Sequence, residues 1–299
     1  MPRWRAAAGI AAVALVLGAG AQAGVLRHCE PPPAASAAQQ DRQLRVAELI
    51  RAELERSGQP LAIVARSGMN LARIGQRYSH AGFALRASAQ SPWSVRQLYY
   101  DCEQGRPRIF DQGLPGFVLG MDDPDRSQLS VLLLPADAAT ALERAVLDDR
   151  RAMQLLAPRY SANAHAFGLA YQNCNQWLLE MLADAWAPGG APTRAQAQDW
   201  LRARGYQPAR IDLVWQPWLW LGLISPWLQV DDHPRADVDA GVLQVSMPAS
   251  IDAFVQAQWP GTRRLEFCQA GLRLVLRRGG PALDEACTPG PGDEITALD

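Results

Sequence analysis

Tyr171-Gln172-Asn173-Cys174-Asn175-Gln176-Trp177 is where irregular chain turns into a helix, and its reading decides the fold. From Asn173 or Cys174 to Trp186 the apolar positions Cys174, Trp177, Leu178, Met181, Leu182 and Ala185 recur at helical spacing. Pro188-Gly189-Gly190 then stops the helix. Cys174 thus sits at the N-terminus of a buried helix face. The partial positive charge there stabilises an anion, and the thiolate is the reactive form of cysteine. The placement suits a nucleophile.

Export is read from the first residues. Arg3 and Arg5 precede an apolar run from Ala6 to Gly20, and Ala21-Gln22-Ala23 follows. This is the pattern of a secretory signal peptide, 1–23, cleaved after Ala23, and it places the chain in the periplasm. The formal net charge of −1 becomes −3 without the two signal arginines. No basic stripe points to nucleic acid. In an oxidising compartment five cysteines leave one thiol unpaired. Cys268 and Cys287 flank a hairpin-like segment and are paired; Cys29 and Cys102 make the second bridge. Four cysteines allow three pairings, so the connectivity is an expectation. Cys174 is the thiol left over.

Outward from the Cys helix, the coarse pattern mixes helices and strands. Ser36 to Arg56 reads as a helix with Leu44, Leu49, Ile50 and Leu54 near one face, stopped by Ser57-Gly58. Leu61 to Ala65, Tyr78 to Ala87, Trp93 to Asp101 and Leu129 to Leu134 read as strands, the middle two as a hairpin. A long helix is expected from Pro135 to about Leu156, and another from Thr193 to Arg204. Beyond them lie strand-like runs at Val242–Met247, Arg263–Cys268 and Leu272–Arg277, and a helix at Pro248–Gln258. The Trp-rich stretch Trp215–Leu228 reads first as core and second as a peripheral membrane contact. Asp231-Asp232-His233-Pro234 reads as a solvated turn, and no metal or other cofactor is expected.

A thiol of this kind wants an imidazole. His80, in Tyr78-Ser79-His80-Ala81-Gly82-Phe83, begins a rigid strand, and Gly82 permits a close approach from outside it. A structural histidine at a strand start is the plainer alternative. His165, nine residues before Cys174, is a substrate contact or a replacement base.

A strand opening Ser-His-x-Gly-hydrophobic, followed later by a helix opening Asn-Cys, resembles the permuted papain-like, NlpC-type cysteine hydrolases and acyltransferases. The chain also resembles an uncharacterised exported bacterial family placed near that group. The resemblance runs from about Leu61 through Trp177 and more weakly to the C-terminus. It implies Cys174 as nucleophile and His80 as general base, with a polar group on the next strand to orient the ring. Val95, Gln97, Tyr99 and Asp101 share a face of that strand. Gln97 is the first choice and Asp101 the second, with the hairpin register to decide. The backbone N–H of Cys174 is a natural oxyanion donor. Asn173, Asn175 and Gln176 offer a second donor or cap the helix.

The expected fold is therefore α+β: a permuted papain-like core, 24–205, whose antiparallel sheet packs on the Cys174 helix, with added helices. Residues 206–299 add the Trp-rich segment and a small C-terminal β-containing part. The expected function is an exported thiol hydrolase or acyltransferase, acting on cell-wall peptide (peptidoglycan) first and a lipid or lipoprotein acyl group second. The competing expectation is a non-catalytic envelope module that binds a peptide or protein partner.

Overall fold

Leu61–Arg66 (β1) has six residues and no solvent-facing position, so it must be covered on both faces and both edges. The computed structural model describes Cys29, residues 34–213 and residues 227–299. The expected signal peptide, 1–23, and the Trp-rich stretch as far as Pro226 lie outside the described residues.

β1 lies inside an eight-stranded antiparallel sheet. On one side run His80–Leu85 (β2), Ser94–Asp101 (β3) and Arg106–Gln112 (β4). On the other side Arg126–Leu133 (β5) is its direct neighbour. Ala209–Asp212 (β6) and Val242–Val245 (β7) pair separately, around a small apolar cluster of their own. Arg263–Ala270 (β8), Arg273–Arg278 (β9) and Glu294–Ala297 (β10) then continue the main sheet beyond β5. The C-terminal strands, expected as a small separate part, are thus built into the same sheet. The division expected after residue 205 does not separate two sheets.

Side chains alternate across β1 and feed two cores. Leu61, Ile63 and Ala65 join Phe83 and Leu85 of β2 in one core. It is covered by Ala136–Leu147 (α3), Cys174–Trp186 (α5), Arg194–Ala203 (α6) and Pro248–Gln258 (α8). Ala62, Val64 and Ala84 enter the other, under Ala37–Ser57 (α1) and Leu114–Leu119 (α2). The result is an α+β molecule with helices on both faces of one antiparallel sheet. Each fully buried Leu, Ile or Phe contributes about 1.5–3 kcal/mol, so the two cores hold the layers together.

Local chemistry sets the ends. Ser36 and Gln39 form a capping box at the start of α1, and Gly58 ends it at φ 69°, a conformation glycine takes without strain. The buried face of α1 is Val46, Ala47, Ile50 and Leu54; Leu44, expected on that face, is exposed. The long helix expected from Pro135 breaks in two. Asp148 accepts the N–H groups of Arg150 and Arg151 and so caps a second helix, Asp149–Gln154 (α4). Arg235–Asp239 (α7) is a short helix before β7.

Candidate active site

Asn173 caps α5 with extended backbone, and its Oδ1 accepts the Gln176 N–H at 2.8 Å. Cys174 is consequently the first residue of the helix. It is the free cysteine, since Cys29 is bonded to Cys102 and Cys268 to Cys287. The side chain is only 7% exposed. Burial pushes its thiol up to about 11, against the pull of the Asn175 and Ala81 N–H groups and the Arg66 charge. The helix terminus was expected to favour the thiolate. Desolvation outweighs it, and the resting thiol is protonated at neutral pH.

His80 is the first residue of β2, opposite Arg66 of β1. Its Nε2 lies 2.7 Å from Gln97 Oε1. The Gln97 amide in turn donates from Nε2 to Gln112 Oε1 at 2.8 Å. With the amide nitrogen committed to Gln112, its oxygen faces the ring, so His80 Nε2 carries the proton. Nδ1 is then the basic nitrogen of the neutral imidazole. The ring also packs on Tyr99 (centroids 4.8 Å) and Phe117 (6.1 Å). Asp101 takes no part: it accepts the Glu103 and Gln104 N–H groups and an Arg108 side chain at the β3–β4 turn.

Gly82 explains how Gln97 comes so near. A Cβ there would lie 2.6 Å from Val95 Cγ1, 3.0 Å from the Arg96 carbonyl oxygen and 3.2 Å from Gln97 Cβ. The close neighbour that Gly82 admits is β3 itself. The β2–β3 register covers Phe83–Leu85 against Ser94–Arg96. His80, Ala81 and Gly82 lie beyond it, and there the Ala81 N–H faces the Cys174 sulfur.

The first turn of α5 touches the residues on both sides of His80. Asn175 Nδ2 donates to the Ser79 carbonyl at 3.3 Å, and Ala81 faces the sulfur as described. The side chains take different sides of the sheet. Cys174 and Ala81 belong to the core under α3 and α5, while the His80 ring lies with Phe117 of α2. Sulfur and imidazole thus flank the start of one strand.

Several neighbours carried no signal in the motif search. Arg66 lies under the site, its guanidinium donating to Tyr99 Oη at 2.6 Å and to the Gly120 carbonyl. A charged residue closing the apolar run Leu61–Ala65 was the available clue. Tyr160 bridges to Gln172, packs on Tyr100 at 5.2 Å, and is held well above the usual phenol range by burial and by Cys174 nearby.

The remaining site candidates are mostly structural. Gln176 Nε2 lies within hydrogen-bond distance of the carbonyls of His165, Ala166 and Gly168, and so holds the loop before the helix. Asn173 Nδ2 donates to the Ala162 carbonyl. His165 points into a polar cluster instead of toward Cys174: its N–H donates to Asp232, its ring lies 5.2 Å from that of His233, and Nδ1 accepts the Phe167 N–H. Burial, then His233, lowers its pKa to about 4. Asp232 and His233, expected in a solvated turn, are buried in that cluster, where His233 Nε2 meets the Asn163 carbonyl at 2.8 Å.

Residues 53–255 match the family described as "Uncharacterized protein conserved in bacteria (DUF2145)". The chain belongs to DUF2145. No curated protein and no solved structure matches it. The DUF2145 span contains Arg66, His80, Gln97 and Cys174, and ends before β8. Among the described residues of this DUF2145 chain, no helix is long and apolar enough to cross a membrane. Its two disulfides suit an oxidising compartment.

Proposed function

We propose that this protein is an exported, periplasmic cysteine hydrolase or acyltransferase with a permuted papain-like, NlpC-type core. The observation that carries the reading is the buried His80 Nε2 to Gln97 Oε1 hydrogen bond at the start of the strand gripped by the Cys174 helix. A histidine oriented by an amide on the next strand, followed in the chain by a helix headed by cysteine, is the order that the resemblance implies.

The raised thiol pKa shapes the mechanism. Cys174 does not wait as a thiolate. Its proton passes to His80 Nδ1 as the sulfur attacks the carbonyl, and the S–C bond forms as the carbonyl π bond opens. The Cys174 N–H, at the free end of the helix, stabilises the oxyanion. His80 then returns the proton to the departing amine or alcohol. Water or an amine resolves the thioester, giving its proton to His80. Cell-wall peptide is the first substrate class and a lipid or lipoprotein acyl group the second. Trp215–Leu228 offers a peripheral membrane contact for the second class.

Intact-mass spectrometry after exposure to an activated acyl ester tests the reading. An acyl adduct on Cys174 is expected, absent in Cys174→Ala and formed about 10²–10⁴-fold more slowly in His80→Ala. Gln97→Ala should slow it less, because a neutral amide orients the ring without stabilising imidazolium. An adduct rate indifferent to His80 would sink the proposal.

The burial of both Cys174 and His80 favours a second reading, a papain-like envelope module that binds a peptide or protein partner without turnover. Saturable peptide binding that survives Cys174→Ala, with no adduct from any ester, would support it instead.

A further inference from the structure

The β1–β2 connection, residues 67–79, borders a polar cavity of about 200 Å³ at the end of the sheet where β2 begins. Its opposite wall is the turn leading into β5, and Glu285 closes a third side. Ser79 ties this wall to the candidate site. Its Oγ accepts the Met69 N–H at 3.1 Å, while its carbonyl accepts the Asn175 side chain from α5. The cavity is therefore one residue away from His80 and one hydrogen bond away from the helix that carries Cys174.

Most polar groups around it are already satisfied. Ser67 Oγ accepts the Gln128 N–H, Ser127 donates to Gln269, and Arg77 is paired with Glu266. Among the described residues, Asp122, Arg126 and Glu285 line the cavity without an ion-pair partner. Two anions and one cation thus border a space smaller than a drug-sized pocket, which is roughly 300–1,000 Å³. An ammonium offers three donors and needs acceptors, while a guanidinium presents a planar fork to a carboxylate. The group complementary to this lining is small and carries both charges.

We propose that the cavity binds an α-amino-acid zwitterion, its ammonium against Asp122 and Glu285 and its carboxylate against Arg126. The group comes either as a free amino acid or as the ends of a short peptide. This rests on the proposed function only for its place beside a reacting centre, where it names an amino acid as leaving group or acyl acceptor. It gives the site selectivity for peptide-like over lipid-like substrates.

Calorimetric titration of the full chain with L-alanine, propylamine, propionate and the dipeptide Ala-Ala tests the site without turnover. L-Alanine or Ala-Ala should saturate, at least tenfold more tightly than either singly charged probe. Asp122→Asn and Arg126→Gln should each remove at least tenfold, with unchanged thermal unfolding. Tighter binding of Ala-Ala identifies a peptide as the source, and tighter binding of alanine a free amino acid. No saturation by either, equal binding of propylamine or propionate, or indifference to both substitutions would overturn the assignment. If Cys174 takes no acyl group while alanine still binds, the proposed function falls and the binding site stands.

Discussion

At Cys174, burial and the helix N-terminus act in opposite directions, and burial prevails. The alkylation rate with iodoacetamide should therefore be below that of a free thiol at pH 7, and rise about tenfold per pH unit well past pH 9. A rate that levels off below pH 8 would show a preformed thiolate instead. His165 makes a second residue-scale prediction. Its imidazole accepts a proton at about 4 in the fold, against an ordinary value near 6.5. Between these values the unfolded chain holds more protons, so acidification through this window destabilises the protein. The loss is at most about 3 kcal/mol, at about 1.4 kcal/mol per pKa unit. Urea unfolding of His165→Asn at pH 7.5 and 4.5 should show a flatter pH dependence than the parent.

Among the elements, β2 and β3 depend on Gly82. Gly82→Ala forces a methyl against Val95 and the Arg96 carbonyl, with an overpacking cost of about 1–3 kcal/mol. Val95→Ala in the same chain should recover part of the loss, because only the side-chain half of the clash is relieved. Chemical denaturation reads both, and full recovery would deny the backbone contact. The same pair shows where sequence reading works. α5 and α8 are legible to their ends, since helical periodicity, the Asn173 cap and Pro248 at the first turn all agree. The choice of Gln97 over Asp101 was left to the register, which residue patterns do not supply. β4 was missed because Arg106, Pro107 and Arg108 hide an edge strand in a polar run. The broken helix at Asp148 was missed because a capping aspartate inside a helical pattern looks like one more exposed acid. His80 and Cys174 were found as motifs, but Arg66 and Tyr160 join them through tertiary contacts of no fixed spacing.

For the whole molecule, the decisive feature is that β8 pairs with β5 over the full length of both strands. A chain ending at Gly261 would leave Leu129 and Val131 of β5 without the Phe267 and Leu265 opposite them. Such a truncation should be insoluble or molten, with lost near-ultraviolet circular dichroism. A folded, cooperative product would instead reveal a separable C-terminal unit. The same pairing has a consequence in time. Roughly 130 residues lie between the end of β5 and the start of β8, so at ~5–20 residues per second the inner edge of the sheet waits on the order of ten seconds for its partner. During synthesis the middle of the finished sheet is a raw edge, open to any other extended chain. The order in which the strands are made hands this protein a period of exposure that its final architecture conceals.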